Sequence, residues 1–256
     1  MKNILRYLAF LAPILQLATA LIASSAVDFN RPDTDDMIPV PLYLEPGGFA
    51  FVIWPVIFIT FILLGIYQLG KNRHNDSRFI LGRKYIVTSC LGNIIWFYGD
   101  VYNNLFICTI GFVIMLISLL VLNNIFQLGE VSKDFKDKWL VKMPVSLFFG
   151  WITVAFPIGI TLLLISEFGL TGEDFLSPAI WSSFVIVFAL GIFLSLFILR
   201  KVSTFFVGTG VWGFFWIFMA NRVDQTLIAY TAIGATIVLS ISIFLKHIPH
   251  FRTKLL

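Results

Sequence analysis

Apolar residues along this chain come in long, nearly unbroken runs, without the strict alternation of half-buried strands. Eight runs stand out, roughly 4–26, 47–70, 85–102, 105–128, 139–166, 178–199, 202–220 and 225–245. Each is close to the about 20 residues that a helix needs to cross a bilayer. In hydrocarbon a backbone amide must find its partner within its own segment or in a closed barrel, and these runs are much longer than barrel strands. The predicted fold class is therefore all-α: a polytopic membrane helix bundle with about eight transmembrane helices.

The polar positions between the runs set the orientation. Basic residues fall at the N-terminus (Lys2, Arg6), in the second loop (Lys71, Arg73, Arg78, Arg83, Lys84), the fourth (Lys133, Lys136, Lys138, Lys142), the sixth (Arg200, Lys201) and the tail (Lys246, Arg252, Lys254). The other side keeps only Arg31 and Arg222, against ten acids. By the positive-inside rule this alternation predicts a multi-pass protein of the cell membrane, the bacterial inner membrane being expected, with both termini cytoplasmic and an acidic outer surface. Lys2, Arg6 and the Ala23-Ser24-Ser25-Ala26 stretch also fit a cleavable signal peptide; we read the first run as a retained helix.

Composition narrows the function. With 59% apolar and 12% charged residues, the chain has too little polar surface for a separate soluble domain. The lipid bilayer is its first partner, and no nucleic acid is expected to bind. Cys90 and Cys108 lie in apolar runs and read as packing residues, while His74, His247 and His250 fall in basic segments. No metal site or cofactor is expected, and neither is an enzymatic role. The helix centres carry no charge of the kind that marks proton relays. Asp100, at the end of the third run, reads as a wet helix end. Asp33, Asp35 and Asp36 lack the glycine and distal glutamate of a calcium loop and read as a solvated charge run.

Aromatic content is the unusual quantity, with 28 Phe, 7 Tyr and 7 Trp. Tryptophan normally sits in the headgroup belt, where Trp139 and Trp181 open their helices. Trp54 and Trp96 lie deeper, each roughly 10 Å below the outer boundary at 1.5 Å per residue, and Trp151 lies near mid-membrane. These three must fill space between helices or face a cavity. Trp212 and Trp216, spaced i, i+4, read as packing or belt residues. Pro55 and Pro157 each remove a helical hydrogen bond, so kinks are expected in the second and fifth helices, the latter between Gly150 and Gly159.

Three stretches carry a resemblance to a known family. Pro46-Gly47-Gly48-Phe49-Ala50-Phe51-Val52-Ile53-Trp54, Asn93-Ile94-Ile95-Trp96 and Trp151-Ile152-Thr153-Val154-Ala155 are similar, in order and placement, to helices two, three and five of the TspO/MBR family of tryptophan-rich sensory proteins. The resemblance implies a five-helix core over residues 1–166, with residues 167–256 adding three helices and a basic tail, as in a longer bacterial subgroup. It also implies an aromatic pocket for a hydrophobic small molecule, porphyrin-like or sterol-like. Three departures stand out: Phe58 replaces the family's tyrosine, the tryptophan expected near Gly48 is absent, and Gly159 replaces an asparagine.

These observations lead to a ligand-binding membrane sensor or carrier, with Phe49, Trp54, Phe58, Asn93, Trp96, Trp151 and Thr153 as candidate site residues. A transporter of a small hydrophobic solute, with the last three helices in its path, is the first alternative, although the halves show no internal repetition. The second is a structural membrane protein with no ligand. For a homodimer the chain offers no Gly-xxx-Gly pair, only the weaker Ala155-xxx-Gly159.

Overall fold

The computed structural model describes residues 2–30, 43–132, 134–169, 177–199 and 201–247. Arg31, the Asp33, Asp35 and Asp36 run, Lys133, Glu173, Asp174, Arg200 and the tail with His250, Arg252 and Lys254 lie outside the described residues. Eight long helices follow one another: α1 (Lys2–Asn30), α2 (Ile53–Tyr67), α3 (Ser77–Val101), α4 (Leu105–Ile125), α5 (Met143–Phe168), α6 (Pro178–Ile198), α7 (Thr204–Asn221) and α8 (Thr226–His247). No strand occurs among the described residues. A 3₁₀ turn, Gly48–Val52, leads into α2, and a helical turn (Phe135–Asp137) followed by a π turn (Lys138–Lys142) leads into α5.

Seven of the eight, alone or with these turns, are long and apolar enough to cross a membrane. The exception is α3, which begins at Ser77 and not near residue 85 as the apolar run suggests. The Asp76 side chain accepts the Arg78 backbone N–H and caps the helix early, so Arg78, Arg83 and Lys84, expected in a loop, become helical. Similar side-chain caps start α4 at Asn104, α6 at Ser177 and α7 at Ser203. Helix α5 ends on Gly169, whose φ of 64° suits a residue without Cβ.

The first five helices close into a ring. Helix α1 packs on α2 and α3, α3 on α4, α4 on α5, and α5 returns to α2, giving the circular order 1-2-5-4-3. Outside it, α7 packs on α5, and α8 bridges α7 and α6. Glycines permit the closest approaches. A Cβ on Gly111 would lie 2.7 Å from the Gly92 carbonyl and 2.7 Å from the Trp96 backbone nitrogen, so α3 and α4 meet backbone to backbone. A Cβ on Gly150 would lie 2.6 Å from the Phe206 carbonyl, which sets the α5–α7 contact.

Two expectations change. Pro55 introduces no mid-helix break: α2 starts at Ile53, which places Pro55 in its first turn, where the missing N–H is an orphan in any case. Pro157 does lie inside α5, as expected. At the end bearing the basic loops, Arg83 and Lys142 are buried, although loop positions predict solvated charges. Their stems run through apolar surroundings and their heads meet chain carbonyls or an amide. Arg83 Nε donates to Gln68 Oε1 (2.9 Å) and Nη2 to the Arg73 carbonyl (3.2 Å). Lys142 Nζ donates to the carbonyls of Gln127 (2.7 Å) and Glu130 (2.9 Å), just past the end of α4. Gln68 Nε2 reaches the Arg6 carbonyl on α1, and Arg78 pairs with Asp137 at 3.0 Å, so this end ties α1, α2, α3 and the lead-in to α5 together.

Candidate functional site

Inside the ring, three helices each send one tryptophan to the same place. Trp54, in the first turn of α2, stacks on Trp96 of α3 at 6.2 Å between ring centroids and 28° between planes. It meets Trp151 of α5 edge to face, at 6.2 Å and 82°. Phe58, one turn along α2, stacks on Trp54 at 5.4 Å. The deep tryptophans thus sit together, with Trp151 only 2% exposed. Phe51, Phe97 and Phe148 complete the cluster, each within 6.1 Å of one of these rings. Sequence reasoning missed these three because phenylalanine is too common here to single out.

Asn93 lies one turn along α3 from Trp96 and is fully buried. Its Oδ1 accepts from Gln16 Nε2 of α1 at 2.8 Å. That single bond leaves Gln16 Oε1 and Asn93 Nδ2 without a partner, and Trp151 Nε1 is likewise unpaired. Exchanging O and N in both amides would still leave one donor and one acceptor free. An unmet buried polar atom costs about 1–3 kcal/mol, so the three of them are an unusual expense in an apolar interior. Gln16 also escaped the sequence reading, although a lone amide in the apolar middle of α1 was its signal.

Two predicted residues are placed elsewhere. Phe49 leans away from the cluster onto α7, at 5.1 Å from Trp216 and 6.4 Å from Trp212. Those two tryptophans hold the segment before α2: Trp212 Nε1 donates to the Ala50 carbonyl (2.9 Å), and the Gly47 N–H donates to the Trp216 carbonyl (3.2 Å). Asn221 at the end of α7 adds a bond to the Tyr43 carbonyl at 3.0 Å. Thr153 lies on the other side of α5, its hydroxyl bonded to the Phe149 carbonyl, and lines a separate cleft of about 410 Å³ between α4, α5 and α6.

Trp139 stays at a helix end, 38% exposed, with Lys138 Nζ 5.3 Å from its ring. Trp181, expected in the same belt, lines the α4–α5–α6 cleft with its indole N–H buried and unpaired. Gly159 packs against Phe112 of the same chain; a Cβ there would lie 2.7 Å from that ring, so an asparagine at this position would require Phe112 to move.

A model of the TSPO-like protein family matches residues 5–245, nearly the whole chain. The chain belongs to the TSPO-like family. The match runs through all eight helices, so in this TSPO-like protein the last three belong to the matched unit as much as the ring does. Neither a curated protein nor a solved structure matches it. Family and fold together make it a multi-pass membrane protein, at the coarse level one of the sensor and ligand-binding kind.

Proposed function

We propose that this TSPO-like protein is a ligand-binding sensor or carrier, and that residues 1–166 hold its site while residues 167–256 brace it. The carrying observation is the convergence of Trp54, Trp96 and Trp151 beside unpaired polar atoms of Gln16, Asn93 and Trp151. A flat apolar ligand, porphyrin-like or sterol-like, gains stacking of about 0.5–1.5 kcal/mol per ring pair beyond area burial. Sandwiching a plane between Trp54 and Trp96 needs roughly 7 Å between the two ring planes at van der Waals contact, so this tilted pair, with centroids 6.2 Å apart, has to open to admit one. Phe49 serves this site indirectly, by docking the segment before α2 on α7, and Thr153 faces away from it.

In this reading the basic loops and both termini are cytoplasmic. Reporter fusions after Arg78, Lys136 and Leu256 should all register cytoplasm, and an external signal at Leu256 would refute an even number of crossings.

The ligand should be neutral or cationic. The outer surface inferred from sequence carries ten acids against Arg31 and Arg222, a potential that depletes anions. Phe58 and Gly159 further remove polar groups that would orient a carboxylate. Protoporphyrin dimethyl ester should therefore bind roughly tenfold more tightly than the dianionic free acid at low salt. Salt should then raise the affinity of the acid as screening sets in over about 8–10 Å. Titration by tryptophan quenching at two ionic strengths decides. Tighter binding of the free acid, weakening with salt, would overturn the neutral-ligand reading.

A further inference from the structure

The cleft between α4, α5 and α6 plays no part in the ring site. It exists because α5 and α6 touch only lightly, α6 being held mainly by α8. Its lining runs along α5 from Phe149 to Leu164 and along α6 from Trp181 to Leu196, closed on the third side by Leu116 and Leu120 of α4. Each helical stretch is about 22 Å long at 1.5 Å per residue, so the 410 Å³ form a narrow slot and not a round chamber. Phe184 and Phe188 are each 57% exposed along its edge, which leaves the slot open sideways to the surrounding bilayer.

Its polar groups are few. The two lining hydroxyls bond to their own helix, Thr153 to the Phe149 carbonyl and Thr161 to the Pro157 carbonyl, both at 2.8 Å. Among the described residues no charged side chain lines the slot. The Trp181 indole N–H is different: it is buried with no partner among the described residues, its ring stacks on Phe184 at 5.9 Å, and a turn of the indole toward the slot is needed before a ligand oxygen can reach it. Because α5 and α6 run in opposite directions, Trp181 lies at the Thr161 end of the slot. Toward Phe149 and Leu196 the lining is apolar apart from Thr153, whose hydroxyl is taken up by its own helix.

We propose that this slot is a second ligand site, which admits one elongated neutral lipid from the bilayer and holds a carbonyl or hydroxyl oxygen of that lipid on the Trp181 indole N–H. An anion would meet no compensating charge among the described lining residues. The apolar chain lies along Phe156 and Ile192, and the single donor fixes which end points toward Trp181. This site stands independently of the ring, since the residues of the two lie on opposite faces of α5.

The test uses the full chain in phosphatidylcholine nanodiscs, with cis-parinaric acid methyl ester as the probe and energy transfer from tryptophan as the signal. Transfer should saturate at one ester per chain. Trp181→Phe should weaken that midpoint about three- to tenfold, the range for one lost hydrogen bond. Ile192→Trp and, as a second filling variant on the exposed side of α4, Leu120→Trp should abolish the saturable component, while Trp139→Ala, at an exposed helix end, leaves its midpoint unchanged. Diphenylhexatriene, which has no acceptor, and free parinaric acid should compete at least about tenfold more weakly than the ester. Transfer that only tracks probe mole fraction would mean annular lipid and overturn the proposal. So would saturable binding indifferent to Trp181→Phe and both filling variants, or equal competition by diphenylhexatriene.

Discussion

Trp54→Ala should lower the affinity for protoporphyrin dimethyl ester by about tenfold, because Trp54 touches more rings of the cluster than any other member does. It contacts Phe58, Trp96, Phe97, Phe148 and Trp151, at centroid distances between 5.4 and 6.2 Å. Loss of one stacking face for a bound plane removes about 0.5–1.5 kcal/mol beyond the apolar area it buries, and 1.4 kcal/mol is tenfold in the dissociation constant. Truncating this partly buried tryptophan also costs stability, up to about 3–5 kcal/mol, so the comparison needs Trp54→Phe, which keeps a ring and should lose less than Trp54→Ala. Trp139→Ala, at an exposed helix end, should leave affinity within about twofold, as expected for a residue outside the site. Equal losses at Trp54 and Trp139 would mean that general destabilisation, and not a site, explains the data.

The helices were legible in the sequence because hydrocarbon leaves the backbone no other solution, and run length alone locates most of the spans. Their ends were less legible. Arg83 and Lys142 look like loop charges until the neighbouring carbonyls are placed, because a charge is buried only where a partner from another segment arrives. Depth along a helix singled out Trp54, Trp96 and Trp151, three rings that pack together in the fold, since depth is a one-dimensional quantity. Direction around a helix is not, when all faces are apolar. Phe49 and Thr153, each within a few residues of a deep tryptophan, therefore face other neighbours, α7 and the α4–α5–α6 cleft. The Gln16–Asn93 pair spans α1 and α3, a contact that no local pattern encodes. For the same reason nothing in the spacing of Trp212 and Trp216 foretold their hold on the Gly47–Ala50 segment.

Gly111→Leu should have the largest effect on the fold, and through the fold on the site. At the α3–α4 crossing the atoms facing Gly111 are backbone: the Gly92 carbonyl and the Trp96 nitrogen, each 2.7 Å from where a Cβ would stand. Flexible side chains can turn aside, whereas two helix backbones can only separate. Overpacking ordinarily costs about 1–3 kcal/mol, and a clash that parts two helices should reach or exceed the upper end. A loss of that size lowers Tm by roughly 10 °C or prevents folded protein from accumulating. Separation would also carry the Trp96 backbone away from α4, and with it the ring that stacks on Trp54, so surviving protein should lose ligand affinity as well. Gly208→Leu is the matched control, because nothing lies within 4 Å of a Cβ built there, and it should stay within a few degrees of the parent. Circular dichroism melts of the two variants in one detergent decide between them. Equal melting temperatures for Gly111→Leu and the parent would show that α3 and α4 do not meet backbone to backbone, and the placement of Trp96 against Trp54 would fail with them.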